Sequence, residues 1–404
     1  MIQRPLYLDK IVPFIDHPVI KILVGVRRAG KSTILECVRD LLLERGIDPS
    51  KICHINFDAL DYTNIRAKAE LLELVRKLHN EGIKYYLFDE IQNIEQWDEV
   101  VSALFAEKDA DIYITGSNSK LLSTELSTFL TGRYINIHIA TLNFAEFLDF
   151  KKYRNEDTDD IDVAFREYME RGGFPILHVS NQSLPQCDQL IRDIYSSIVL
   201  RDLVERHGIR NTELLSRVIK YIFDNIGNIF SAKSVSDYLK NERRSLNPET
   251  VYNYLNWLEE ALIIKRISRY DIRGKAILKT QEKFFLSDVG FLYAINGRSD
   301  SYTSGIYENI VYHELISHGY KVNLGKNGEQ EIDFIAEKDH KLTYIQVAAS
   351  IKSSDTADRE FGAFAGIDDN YPKYVVSMDK YDGWDKSKNG IQYKYLPDFI
   401  LNCL

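Results

Sequence analysis

Gly25-Val26-Arg27-Arg28-Ala29-Gly30-Lys31-Ser32 is the stretch on which the reading of this chain turns. It matches G-x-x-x-x-G-K-[ST] at every defined position and lies between the two segments such a loop requires. Before it, Lys21-Ile22-Leu23-Val24 is a short apolar run rich in β-branched residues, which reads as a buried strand. After it, Ile34, Leu35, Val38, Leu41 and Leu42 recur at spacings of three and four, so an amphipathic helix follows until Gly46 stops it. In that setting the loop N–H groups can surround a phosphate while the helix N-terminus faces its charge. The candidate ATP contacts are Gly25, Arg27, Arg28, Ala29, Gly30, Lys31, Ser32 and Thr33. Lys31 is directed at the β- and γ-phosphates, and the Ser32 hydroxyl at Mg²⁺. A chance glycine-rich turn is the competing reading; the flanking strand and helix argue against it.

Outward from the loop, strands and helices alternate. Residues 52–57, 85–88, 111–115 and 134–139 read as further strands, with helical segments at 70–78 and 97–105 between them. Strands separated by helices predict an α/β fold with a mostly parallel sheet covered on both faces. The strand Tyr85-Tyr86-Leu87-Phe88 ends in Asp89 and Glu90. A carboxylate there suits the Mg²⁺ water shell, which falls to Asp89, and the next one can activate the attacking water, which falls to Glu90. An acidic surface turn is the plain alternative. The fourth strand ends in Thr115-Gly116-Ser117-Asn118, whose polar groups could contact the γ-phosphate or the water, Asn118 first among them. An ordinary Asx or Ser turn fits the same residues. Arg133, at the start of the fifth strand, could neutralise transition-state charge in cis or in a neighbouring subunit, or form a surface ion pair.

The segments GVRRAGKS (25–32), YYLFDEIQNIEQW (85–97), DIYITGSNSKLLS (111–123), TGRY (131–134) and GGFP (172–175), in this order, resemble AAA+ superfamily ATPases of bacteria and archaea that carry a C-terminal domain of unknown function, DUF4143. The likeness extends over nearly the whole chain. It implies an AAA+ P-loop ATPase domain over residues 1–145 and a helical lid or linker over 146–208. It further implies a winged-helix-like domain over 209–285 and a DUF4143 α/β domain over 286–404, resembling restriction endonucleases and the PD-(D/E)xK nuclease fold. By the same resemblance Lys31 and Ser32 are the Walker A pair, Asp89 and Glu90 the Walker B pair, and Asn118 the sensor.

Residues 231–239 and 249–261 read as two helices, followed by a strand-like ILKTQEKFFLS (277–287) that fits a hairpin arm. Between residues 209 and 273, 11 basic residues stand against 8 acidic, which allows phosphate contacts by Lys240, Arg243 and Arg244. Such a module also serves for packing or self-assembly. In the terminal segment, Glu308 on a helix, Asp333 and Gln346 on successive strands follow the order of a PD-(D/E)xK metal site. The activating lysine position is Ala348 and the third carboxylate is an amide, with Lys352 as the nearby substitute. The expectation is therefore a nuclease-like but inactive domain.

The composition agrees with a globular chain of several domains: 404 residues, 45% hydrophobic, 27% charged, with 21 Gly and 9 Pro. The net charge of −9 excludes non-specific coating of nucleic acid, so DNA contact needs a local basic face. No run of about 18 apolar residues appears and the N-terminus lacks an apolar signal core, so the expectation is a cytoplasmic protein with no membrane partner. Cys37, Cys53, Cys187 and Cys403 form no CxxC pair and read as buried small hydrophobes. Together these readings predict Mg²⁺-dependent ATP binding and hydrolysis, with action on or near DNA. A slow nucleotide-operated switch, an active nuclease and assembly into a homo-oligomer stay open.

Overall fold

The computed structural model describes residues 2–117, 132–241, 247–274, 276–380 and 387–404. They fall into two compact units, Met1–Thr141 with Glu260–Leu262, and Leu142–Glu259 with Ile263–Leu404.

The first unit is built on five parallel strands: β1 (Ile20–Val24), β2 (Ile52–Asn56), β3 (Tyr85–Asp89), β4 (Asp111–Gly116) and β5 (Tyr134–His138). They lie side by side in the order β2-β3-β4-β1-β5. Every residue of β1, β3 and β4 is buried. Successive side chains point to opposite faces, so both faces of the sheet centre are covered. This explains why the sequence shows continuous apolar runs there rather than alternation. The helices Lys31–Glu44, Lys68–Asn80 and Trp97–Ala106 carry the crossovers. A core of Ile22, Val24, Ile55, Phe57, Leu71, Phe88, Val101 and Ile114 packs between sheet and helices. Because the strands are parallel and β4 lies between β1 and β3, the segments leaving β1, β3 and β4 emerge on one edge, side by side. The site follows from that topology.

The second unit holds a nine-stranded mixed sheet of β6 (Ile229–Phe230), β7 (Ile264–Asp271), β8 (Ala276–Leu286), β9 (Lys321–Asn327), β10 (Gln330–Lys338), β11 (Lys341–Ala348), β12 (Lys373–Ser377), β13 (Ser387–Lys388) and β14 (Ile391–Tyr395). Its order is β13-β14-β12-β11-β10-β9-β7-β8-β6. The helices Thr212–Asp224, Ala232–Asn241 and Pro248–Glu260 precede the antiparallel pair β7–β8, and β6 adds to β8. Strand β7 continues the sheet by pairing parallel with β9. Helix Thr303–Ser317 is buried nearly all round, which is why its sequence shows no single apolar face.

The GGFP segment has a packing explanation. Gly172 has φ 75°, and a Cβ there would stand 2.1 Å from Asp288 Oδ1. The Gly173 N–H donates to Asp288 Oδ2 at 2.8 Å, and its carbonyl accepts from the Leu142 N–H at 2.6 Å. A Cβ on Gly173 would meet Leu142 O at 2.3 Å, so both positions require glycine.

Candidate functional site

The loop after β1 has the backbone that its sequence demands. Gly30 has φ 94° and Arg28 φ 68°, left-handed conformations that turn the chain into helix Lys31–Glu44. A Cβ on Gly25 would lie 2.0 Å from Ile139 O, so only glycine lets the loop lie against the end of β5. Lys31 is buried, and its Nζ donates to the Gly25 and Val26 carbonyls at 3.0 and 3.1 Å. The ammonium is thereby held inside the curve of the loop, among Gly25, Val26 and the backbone of the helix start. Arg27, Ala29, Ser32 and Thr33 belong to the same turn, Arg28 being its exposed member.

Asp89 is buried at the end of β3 and receives hydrogen bonds from the Thr115 and Ser32 hydroxyls. Burial pushes its carboxyl above the usual range; the two hydroxyls and Lys31 pull the other way, and Glu90 adds to the rise. Ser32, at the start of the helix after β1, and Asp89, at the end of β3, are thus in hydrogen-bond contact. Glu90 has φ 55°, a left-handed backbone uncommon for a residue with a side chain. Its N–H donates to Thr115 Oγ1 at 3.0 Å. Its Oε2 accepts from the Gln92 amide and lies 3.4 Å from the Ser117 hydroxyl. Thr115 therefore ties the two acidic residues together, donating to one and accepting from the backbone of the other. Gln92 is a contact that the motif reading missed; its place two residues past Glu90 is the only sequence signal for it.

Asn118 and Thr131 are outside the described residues. Arg133 is exposed and pairs through its carbonyl with the Ile20 N–H at 2.8 Å, at the start of β1. The loop leaves the other end of that strand, about 15 Å away for five residues at about 3.3 Å each. Arg133 therefore does not join the cluster of this chain's own phosphate loop, and the cis role is withdrawn.

Arg4, unremarked in the sequence, reaches the loop from behind. Its buried guanidinium donates to Ala29 O at 2.9 Å, Ala140 O at 3.0 Å and Thr141 O at 3.1 Å. The Tyr7 hydroxyl accepts from the Ala140 N–H at 3.1 Å. These bonds fix the loop backbone against the segment that follows β5.

In the second unit, Glu308, Asp333 and Gln346 do converge. The Asp333 N–H donates to Gln346 Oε1 at 3.2 Å, and Asp333 Oδ2 accepts from the Val347 N–H at 2.9 Å. The Gln346 amide donates to Glu360 at 2.8 Å. Lys352 is not the lysine of this group: its side chain is 78% exposed and its Nζ lies 3.7 Å from Asp379. Lys283 of β8 is there instead, between Glu308 and Asp333. Spacing could not reveal it, because it arrives from a hairpin far upstream of both carboxylates. Ala348 is buried in an apolar cluster with Ile332, Ile335 and Val375. The side chains of Arg243 and Arg244 lie outside the described residues, as does that of Lys240. Cys37, Cys53 and Cys187 are buried and Cys403 is half-buried; all four are free thiols.

The loop, the acidic strand end and the parallel sheet define a P-loop nucleotide-binding protein of the AAA type. Residues 17–148 match the family model of an AAA domain, which supports ATPase activity in general. The chain belongs to the same family as an uncharacterized protein of Haemophilus influenzae, to which it is 37% identical over 99% of both chains. An uncharacterized protein of Methanocaldococcus jannaschii is 29% identical over 85% of this chain and 78% of its own length. A Walker-type ATPase of Pyrococcus abyssi is similar with a TM-score of 0.43 and 16% identity, covering 72% of this chain and 93% of the other. Residues 162–302 match a domain of unknown function, DUF8612. That match corrects the expected DUF4143 membership. Among the described residues, no helix is long and apolar enough to cross a membrane.

Proposed function

We propose that this chain is a Mg²⁺-dependent ATPase whose catalytic groups are Lys31, Ser32, Asp89 and Glu90. One observation carries the reading: the Ser32 hydroxyl, at the start of the helix after β1, hydrogen-bonds the Asp89 carboxylate at the end of β3, with Lys31 held inside the loop and Glu90 next in the chain. Ser32 and Asp89 would hold Mg²⁺, which when bound would supply positive charge against that developing on the phosphates. Lys31 would exchange its carbonyl contacts for phosphate oxygens, and Glu90 would take a proton from the attacking water. Gly25, Gly30 and the helix start supply N–H donors, while Arg27, Arg28, Ala29 and Thr33 shape the rest of the cradle. Thr115 and Gln92 fix where the two acids point. Arg133, exposed on the opposite edge, is left for a neighbouring subunit of a homo-oligomer.

The helices Ala232–Asn241 and Pro248–Glu260 with the β7–β8 hairpin support a winged-helix reading of residues 209–285. The exposed Lys233 and the local excess of basic residues favour DNA as what it contacts. Residues 146–208 then form a helical segment and 286–404 a nuclease-like α/β domain.

Lys31→Ala removes the cation facing the phosphates, and ATP affinity falls strongly. Glu90→Gln leaves affinity near that of the parent and depresses kcat, because the carboxylate acts on water rather than on bound nucleotide. Isothermal titration and steady-state hydrolysis, with and without single- and double-stranded DNA, test both. Parent-like ATP binding by Lys31→Ala overturns the assignment. Turnover that DNA leaves unchanged removes DNA as the client.

A further inference from the structure

The second unit contains a cation site that the chain fills by itself. Lys283 is buried on β8, its side chain 5% exposed, and its Nζ meets three carboxylates: Glu331 Oε1 at 2.7 Å, Glu308 Oε2 at 3.0 Å and Asp333 Oδ1 at 3.1 Å. An ammonium has three donors and no acceptor, so every N–H finds a carboxyl oxygen. The acids come from helix Thr303–Ser317 and from β10. The register of β10 against β9 shifts between Ile332 and Ile335, so Asp333 sits in an irregularity of the strand pairing. Beside the cluster lies a pocket of about 400 Å³, lined by Glu308, Glu331, Asp333, Gln346, Arg359 and Glu360.

Charge and distance agree on what the lysine does. Three carboxylates surround one positive charge, and the deficit appears on Glu308: burial and the neighbouring Asp333 push it up to about 8. For Lys283, burial works to lower its pKa, but Asp333, Glu308 and Glu331 outweigh it and hold the ammonium above its ordinary value. It stays charged and offers no free base. The oxygens stand at hydrogen-bond separations, wider than the roughly 2.0–2.6 Å of Mg²⁺ and Ca²⁺ ligands. With the ammonium in place, no three His, Cys, Asp or Glu side chains among the described residues are grouped to hold a metal ion.

We propose that Lys283 is the resident cation of this site: its ammonium stands where a divalent ion would bind, bonds β8 to β10 and helix Thr303–Ser317, and keeps the carboxylates from taking up Mg²⁺ or Mn²⁺. Removing that charge leaves three acids converging on one point beside an open pocket. Lys283→Met, close in volume and without charge, therefore acquires a divalent-cation site.

The test is a Mn²⁺ titration of the nucleotide-free full chain, read by the loss of free-Mn²⁺ electron paramagnetic resonance. Asp89→Asn is present throughout to silence the nucleotide site. In that background the Lys283-containing chain shows no saturable uptake that Asp333→Asn removes. Lys283→Met, and the milder Lys283→Gln, take up one Mn²⁺ at least about 10-fold tighter, and adding Asp333→Asn abolishes the gain. Circular dichroism confirms that the variants are folded. A folded Lys283→Met that gains no site overturns the proposal. So does Mn²⁺ uptake with Lys283 present that Asp333→Asn removes, an outcome that decides the matter even if neither lysine variant folds.

Discussion

Glu314 gives the second unit a stability that falls as pH rises. The residue is 1% exposed, in helix Thr303–Ser317, and its Oε1 accepts from the Phe144 N–H at 2.7 Å, at the start of helix Phe144–Tyr153. Glu146 is its acidic neighbour, and His318 Nδ1 lies 3.9 Å from its Oε2. Burial pushes the carboxyl up to about 8 from an ordinary 4.5; the Phe144 N–H pulls it down and Glu146 adds to the rise. Between those two values the folded chain keeps a proton that the unfolded chain has released. The contribution is thus fully present below about pH 4.5 and is lost as pH climbs to about 8, at about 1.4 kcal/mol per pH unit. Glu314→Gln retains a carbonyl for the Phe144 N–H and places an NH₂ where the acid OH stood, so it removes only the titration. From pH 6 to pH 8.5 the variant should gain about 2–3 kcal/mol on the parent. Glu308 titrates in both proteins and cancels in the difference. Urea unfolding followed by circular dichroism at the two pH values measures it, and the transition that the substitution moves identifies the unit. A gap between variant and parent that is the same at both values would refute the reasoning, because Glu314 would then be ionised in the folded chain.

Two other outcomes follow from contacts already described. Arg4→Met deprives the Ala29, Ala140 and Thr141 carbonyls of a charged donor, at about 1–3 kcal/mol for each carbonyl left without a partner. It should lower both the melting temperature and the ATP affinity measured by titration; an unchanged affinity would show that the loop keeps its shape without the clamp. Plasmid and linear DNA incubated with the parent chain and Mg²⁺ or Mn²⁺ should stay intact, because Lys283 is committed to three carboxylates and Lys352 lies in solvent. Cutting that vanishes in both Asp333→Ala and Lys283→Ala would reverse that expectation.

How far the sequence reaches depends on where each contact lies along the chain. The phosphate loop, β1 and helix Lys31–Glu44 are contiguous, so spacing and periodicity sufficed to read them. Asp89 and Glu90 were legible because β3 is buried on both faces, and an apolar run of that kind ending in two acids leaves few alternatives. Thr115 was named only as a bystander, yet it joins the two acids. Its role depends on β4 lying beside β3, an adjacency that a parallel sheet does not write into local sequence. Arg133 failed for a related reason: it does stand at the start of β5, but β5 runs parallel to β1, so that end lies away from the phosphate loop, which leaves the far end of β1. The terminal domain shows the limit most sharply. Glu308, Asp333 and Gln346 were ordered correctly by pattern, but the cation among them comes from a strand of the preceding hairpin. A search for a lysine near position 348 examines the wrong strand, because in a mixed sheet the partner of a buried carboxylate is chosen by strand order rather than by chain distance. The pairing of β7 with β9 is what brings Lys283 to Asp333. The ion cluster is therefore a consequence of one continuous sheet: a break between β7 and β9 would separate the ammonium from the acids and leave each side with buried, uncompensated charge.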